Sequence, residues 1–130
     1  MANRDLLIVV DDSQIDLAIL NEIFKSSFRV KCISAPKQAS AFIKEHHEEI
    51  CLILLDIYLG HRQSGFSLLE DLQRDANTSS LPIILITSDA NKEYVVSGME
   101  AGAVDFLAKP VNPHTVQKRV YDIIRQYWPA

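Results

Sequence analysis

Three short apolar runs, rich in branched side chains, constrain this chain more than any other feature. They are Leu6-Leu7-Ile8-Val9-Val10, Cys51-Leu52-Ile53-Leu54-Leu55 and Pro82-Ile83-Ile84-Leu85-Ile86. None alternates with polar residues, so none suits a strand with one face in water. Such runs read as strands buried on both faces, as in a parallel sheet covered by helices. Pro82 fits the first position of its strand, where its missing N–H is tolerated. Between the runs the hydrophobic period changes. Ile15, Ile19, Ile23 and Leu20, Phe24 recur at helical spacing, after a capping residue, Ser13, placed three before Asp16. The segment from about Phe28 to Ile33 alternates and predicts an edge strand. Pro36 opens a second helix running to about His46. Phe66, Leu69 and Leu68, Leu72 mark a third. A fourth runs from about Asn91 to Ala101, softened by Gly98 and closed by Gly102. Val104 to Leu107 is a short strand. Asn112-Pro113 then caps a last helix, with Val116, Val120, Ile123, Ile124 and Tyr127 on its apolar face.

Strand and helix therefore alternate five times, which predicts a doubly wound α/β sheet with right-handed crossovers. The 130 residues contain no linker, repeat or low-complexity stretch, so residues 1–130 read as a single domain. A net charge of -4 argues against nucleic-acid or anionic-membrane binding, both of which need clustered Lys and Arg. No apolar run approaches the roughly 18 residues of a membrane span. The apolar run near the N-terminus is too short for a signal-peptide core. Cys32 and Cys51 both lie in strand-like segments and read as buried free thiols, which suits a reducing cytoplasm.

Ligands of an open parallel sheet bind beyond the carboxyl ends of its strands. There the chain carries Asp11-Asp12, Asp56, Thr87-Ser88 and Lys109-Pro110, while the second strand ends without a charge at Ser34-Ala35. Three carboxylates brought together repel one another, and a hard divalent cation relieves that repulsion. Mg²⁺ suits the set, because it is held by few carboxylates plus waters and phosphate oxygens. The Lys109 ammonium can reach a carboxylate or a phosphoryl group, and the Thr87 hydroxyl can donate to a phosphoryl oxygen. Together these residues form the electrostatic kit of phosphoryl transfer to a carboxylate, with Asp56 as acceptor. Taken singly each residue has a plainer reading: helix cap, turn acid or solvated loop lysine. Their joint placement at one sheet edge favours the chemical reading.

These pieces, in this order, resemble a receiver domain of the response regulators of two-component signalling. The resemblance rests on Ile8-Val9-Val10-Asp11-Asp12, Leu54-Leu55-Asp56, Gly65 with Leu68-Leu69, Ile84-Leu85-Ile86-Thr87-Ser88 and Gly102-Ala103-Val104-Asp105-Phe106-Leu107-Ala108-Lys109-Pro110. It runs from about residue 5 to residue 127. The resemblance implies a flavodoxin-like (βα)5 three-layer sandwich with strand order 2-1-3-4-5. It implies phosphorylation of Asp56, direct Mg²⁺ ligation by Asp12 and Asp56, and ligation by Asp11 largely through water. It adds the backbone carbonyl of Tyr58 to the metal ligands, gives Thr87 and Lys109 to the phosphoryl group, and makes Phe106 a switch aromatic. The implied donor is a histidine kinase or a histidine phosphotransfer protein. The implied output face, which also allows a homodimer, is formed by the fourth helix, fifth strand and fifth helix. Such a chain is a phosphoacceptor rather than a conventional enzyme, with at most self-catalysed transfer and slow autodephosphorylation.

One segment departs from the family pattern. Gly60 stands where a proline is usual, and the loop from Ile57 to Ser64 looks one residue longer. Tyr58 and Asp89 occupy positions that tune phosphoryl lifetime in the family, and His61 lies close to Asp56 in sequence. A haloacid-dehalogenase-like phosphatase shares the Asp, Thr, Lys and Mg²⁺ kit. It needs a second acid two residues after its nucleophile, however, where this chain has Tyr58. A phosphorylation-independent interaction module on the same fold is the remaining alternative.

Overall fold

The computed structural model describes residues 4–59, 64–88 and 91–129, without the side chain of Ser64. Its elements follow in strict alternation: β1 (Leu6–Val10), α1 (Gln14–Phe24), β2 (Arg29–Ile33), α2 (Pro36–Glu45), β3 (Ile50–Asp56), α3 (Ser64–Arg74), β4 (Ile83–Thr87), α4 (Lys92–Glu100), β5 (Asp105–Ala108) and α5 (Pro113–Tyr127). The five strands form one parallel sheet in the order β2-β1-β3-β4-β5. The fold is the one expected.

The period-two geometry of a strand sorts the apolar runs into two cores. Leu6, Ile8 and Val10 of β1, with Ile53, Leu55, Ile83 and Leu85, face α2, α3 and the inner side of α4. Leu7, Val9, Leu52, Leu54, Ile84 and Ile86 face α1 and α5. Every residue of β1, β3 and β4 is buried, which is why these strands show no polar alternation. The edge strands read differently. β2 alternates exposed and half-buried residues, and β5 is only partly covered.

Three local expectations shift. The buried face of α1 is Leu17, Leu20 and Phe24, whereas Ile15 and Ile19 point outward, 74% and 44% exposed. With Ile15, Leu17, Ile19, Leu20, Ile23 and Phe24 spread over more than one face, α1 offers several apolar stripes of similar spacing, and only packing selects one. On α5 the buried residues are Val116, Val120 and Ile123, with Tyr127 on the exposed side. Gly98 does more than soften α4. A Cβ there would lie 2.3 Å from Leu85 Cδ1, so the glycine lets α4 approach β4 closely. Gly102, with φ 114°, ends α4 in the left-handed region as expected.

The end of the chain is tied to the sheet edge opposite the strand carboxyl ends. Trp128 Nε1 donates to the carbonyl of Cys51 at 2.8 Å, and the Arg4 guanidinium lies 3.9 Å from the Trp128 ring centroid. Trp128→Phe keeps a ring and loses one hydrogen bond. It is expected to cost about 1 kcal/mol, measured by urea unfolding followed by circular dichroism. Cys32 and Cys51 are both free thiols, and burial pushes the Cys51 thiol up to about 12, leaving it chemically quiet. No helix among the described residues is long and apolar enough to cross a membrane.

Candidate functional site

The strand order decides what meets at the carboxyl edge. β1 and β3 are neighbours, with Val10 opposite Leu55, so Asp11 and Asp12 emerge beside Asp56. β4 lies on the other side of β3, with Ile86 opposite Asp56. β5 follows, with Ala108 opposite Thr87. Residues far apart in the chain thus converge on one edge, at the point where the connections from β1 and β3 diverge.

The carboxyl groups of Asp11, Asp12 and Asp56 bring ligand oxygens within 4.8 Å of one another. Asp11 and Asp56 are buried, at 1% and 5% exposure, and Asp12 faces solvent. Short backbone bonds fix the two buried acids. Asp11 Oδ1 accepts from the N–H of Ser13 at 2.9 Å, and Asp56 Oδ1 accepts from the N–H of Tyr58 at 3.1 Å. Lys109 is anchored through its own N–H, which donates to the carbonyl of Thr87 at 2.8 Å. Its ammonium then donates to three carboxylates: Asp11 Oδ2 at 2.8 Å, Asp16 Oδ2 at 2.8 Å and Asp56 Oδ2 at 3.0 Å.

Burial is the main force on the Asp56 carboxyl and raises it from the ordinary 3.8 to about 6. Hydrogen bonds from Lys109 and from the Tyr58 N–H pull it down, and the nearby Asp11 pushes it up. Burial alone would lower Lys109. Its three carboxylate partners outweigh that and hold the ammonium above the ordinary lysine range. Among the described residues, Asp12 adds a fourth carboxylate beside the three that share the Lys109 ammonium, so negative charge is in excess at this edge. That donor set of hard oxygens fits Mg²⁺. Asp11, Asp12 and Asp56 would hold such an ion, which would supply positive charge to offset theirs.

Thr87 is fully buried at the end of β4. Phe106 is half-buried on β5, opposite Leu85, and packs against the core that faces α2, α3 and α4. Tyr58 is also half-buried. Its ring meets Tyr94 of α4 edge-on at 6.0 Å, and Tyr94 lies 6.2 Å from Phe66 of α3. This aromatic cluster links the loop after Asp56 to α3 and α4 and was not foreseen. The expectations for Gly60 and His61, and for Asp89, fall outside the described residues.

Asp16 was also missed. Ser13 Oγ accepts from the N–H of Asp16 at 3.2 Å, so Ser13 does cap α1. The return bond of a capping box is absent from this pair's hydrogen bonds. The Ser13 N–H goes to Asp11, and the Asp16 carboxylate goes to Lys109. The available signal was the position of Asp16, one turn beyond an acidic pair on a helix that begins at the site.

Known proteins resemble this chain in sequence and in fold. The chain is 28% identical over 120 residues to the two-component response regulator ORR5 of Oryza sativa subsp. japonica, covering 92% of this chain and 88% of that one. It is 30% identical over 115 residues to a probable cyclic di-GMP phosphodiesterase of Vibrio cholerae, covering 88% of this chain but only 25% of that larger protein. The crystal structure of a CheY-like response regulator receiver domain protein from Methanospirillum hungatei JF-1 superposes with a TM-score of 0.84, at 25% identity, over 95% of both chains. The family model for the response regulator receiver domain matches residues 7–121, a stretch that takes in the five strands, apart from Leu6 at the start of β1, and Asp11, Asp12, Asp16 and Asp56. This chain therefore belongs to the response regulator receiver domain family, the phosphoacceptor switches of two-component signalling.

Proposed function

We propose that Asp56 is the phosphoacceptor and that the chain works as one receiver unit in a cytoplasmic relay. The observation that carries the reading is a buried Asp56 held 3.0 Å from the Lys109 ammonium, beside Asp11 and Asp12. The donor is a phosphohistidine on a sensor kinase or phosphotransfer protein. An Asp56 carboxylate oxygen attacks phosphorus, and the P–N bond breaks. Its electron pair stays on the imidazole nitrogen, which is then protonated from solvent. The product is an acyl phosphate. Asp12 and Asp56 would hold Mg²⁺ directly, Asp11 through water, and the Tyr58 carbonyl would complete the protein ligands. When bound, the ion offsets the negative charge of the transferred oxygens.

Lys109 and Thr87 do the rest. The ammonium donates to one phosphoryl oxygen and the Thr87 hydroxyl to another. Thr87 is buried, so reaching that oxygen draws the end of β4 toward the site. Phe106 on the adjacent strand then takes the space vacated, which makes a two-position packing element. The face of α4, β5 and α5 reads out the change. On α4, Val96 and Met99 are exposed, at 45% and 42%, apolar surface that an output partner or a second copy of the chain could cover. The chain is a phosphoacceptor with, at most, self-catalysed transfer and slow loss of its own phosphate.

Incubation with acetyl phosphate and Mg²⁺ is expected to add the mass of one phosphoryl group, removed by hydroxylamine and mapped to the peptide bearing Asp56. Absence of that mass, or a hydroxylamine-resistant adduct on another residue, would sink the reading.

A further inference from the structure

We propose that Asp16 is a positioning residue that restrains Lys109 and slows phosphoryl transfer to Asp56. This rests on the reading of Asp56 as acceptor. An ammonium has three N–H donors. On Lys109 three carboxylates match them, and Asp16 takes one at 2.8 Å, as short as the bond to Asp11. The three acids come from different elements: Asp11 from the end of β1, Asp56 from the end of β3, Asp16 from the first turn of α1. Asp16 is not among the three acids whose oxygens cluster for a cation. Its bond to Lys109 therefore serves the ammonium alone.

Transfer changes what Lys109 must do. A phosphoryl group on Asp56 brings oxygens that need the ammonium, so one of its three present bonds has to be given up. Asp11 and Asp56 both belong to the acid cluster, and a bound cation can compensate them when Lys109 leaves. Asp16 has no such compensation, and its side chain is 32% exposed against 2% for Asp11 and 6% for Asp56. Water can solvate it on release, so it is the bond most easily exchanged. Beside the pair lies a cavity of about 70 Å³, lined also by Leu20, Ile86 and Val111, which leaves room for that exchange. Until it happens, Asp16 competes with the incoming phosphoryl group for a donor. It also adds a fourth negative charge to a site that must admit an anion.

Two effects then run in the same direction when the charge is removed. Asp16→Asn frees the ammonium and lowers the repulsion of the donor. With acetyl phosphate and saturating Mg²⁺, its phosphorylation rate constant is expected to rise roughly three- to tenfold over the parent. Asp16→Glu keeps the charge and is expected to gain much less. The gain of Asp16→Asn should shrink at high ionic strength, because Asp16 is partly exposed and screened. A role confined to capping α1 would give no acceleration and no salt dependence. A parent that is phosphorylated while Asp16→Asn is no faster, or is slower, overturns this inference and leaves the assignment of Asp56 standing. A parent that takes no phosphoryl group overturns both.

Discussion

Asp56→Asn is expected to abolish phosphoryl uptake and, in the metal-free protein, to stabilise the fold. The first effect follows from loss of the only nucleophilic oxygen proposed, since the Asn amide forms no stable acyl phosphate under these conditions. The second follows from the carboxyl's surroundings. Its folded value lies near 6, against an ordinary 3.8. Between those values the folded state holds a proton that the unfolded state has released. Stability therefore falls as pH rises through the window, and above it the folded protein carries the whole penalty of a buried, crowded carboxylate. Asn carries none of it and leaves Lys109 its bonds to Asp11 and Asp16. Near neutral pH the gain should be about 1–3 kcal/mol, shrinking as pH falls toward 4. Urea unfolding of both proteins in chelator, at a series of pH values, measures it. A gap that is absent at neutral pH, or that widens in acid, contradicts the account. Mg²⁺ should narrow the gap from the other side. The parent keeps all three clustered acids and gains more from the ion than the variant does.

Gly65→Ala should damage both the fold and the site, because no small adjustment makes room. A Cβ on Gly65 would lie 2.2 Å from the carbonyl oxygen of Asp56 and 2.6 Å from both the Cα and the carbonyl oxygen of Ile57. All three are backbone atoms of the segment that presents Asp56, the proposed acceptor. The Gly65 N–H donates to the Ile57 carbonyl at 2.7 Å, which fixes the first turn of α3 against the end of β3. β3 is the central strand and cannot retreat, so either α3 lifts or the Asp56-Ile57 peptide turns. The expected cost is about 3 kcal/mol or more. A shift of the acceptor by about 1 Å should slow phosphoryl uptake roughly a hundredfold in the molecules that remain folded. Gly98→Ala is the useful contrast. Its Cβ would meet the end of the buried Leu85 side chain, which must repack, rather than backbone, so its cost should be smaller than that of Gly65→Ala. Urea unfolding gives the stability of both variants, and mass gain from acetyl phosphate gives the rate. Equal stability for parent and Gly65→Ala would show that α3 does not need this contact.

The alternation of apolar runs with helical spacing was enough for the fold. A strand buried on both faces is apolar along its body, with polar residues only at its carboxyl end, so β1, β3 and β4 announce themselves in a single sequence. Asp11, Asp12, Asp56, Thr87 and Lys109 were legible because each follows an apolar run, and the carboxyl ends of parallel strands share one edge. Asp16, the Tyr58-Tyr94-Phe66 cluster and the inward face of α1 were not. Each depends on how a helix is rotated against the sheet, and several rotations of α1 satisfy the same hydrophobic spacing. Gly65 shows the same division within one residue. Its presence matched the family pattern, but the need for it exists only where α3 touches the backbone of Asp56 and Ile57. The sequence by itself thus determined which groups reach the edge of the sheet. Tertiary packing decided which of them touch, because the reach of one Lys109 ammonium to Asp11, Asp16 and Asp56 depends on the seating of β1, β3, β5 and α1 together.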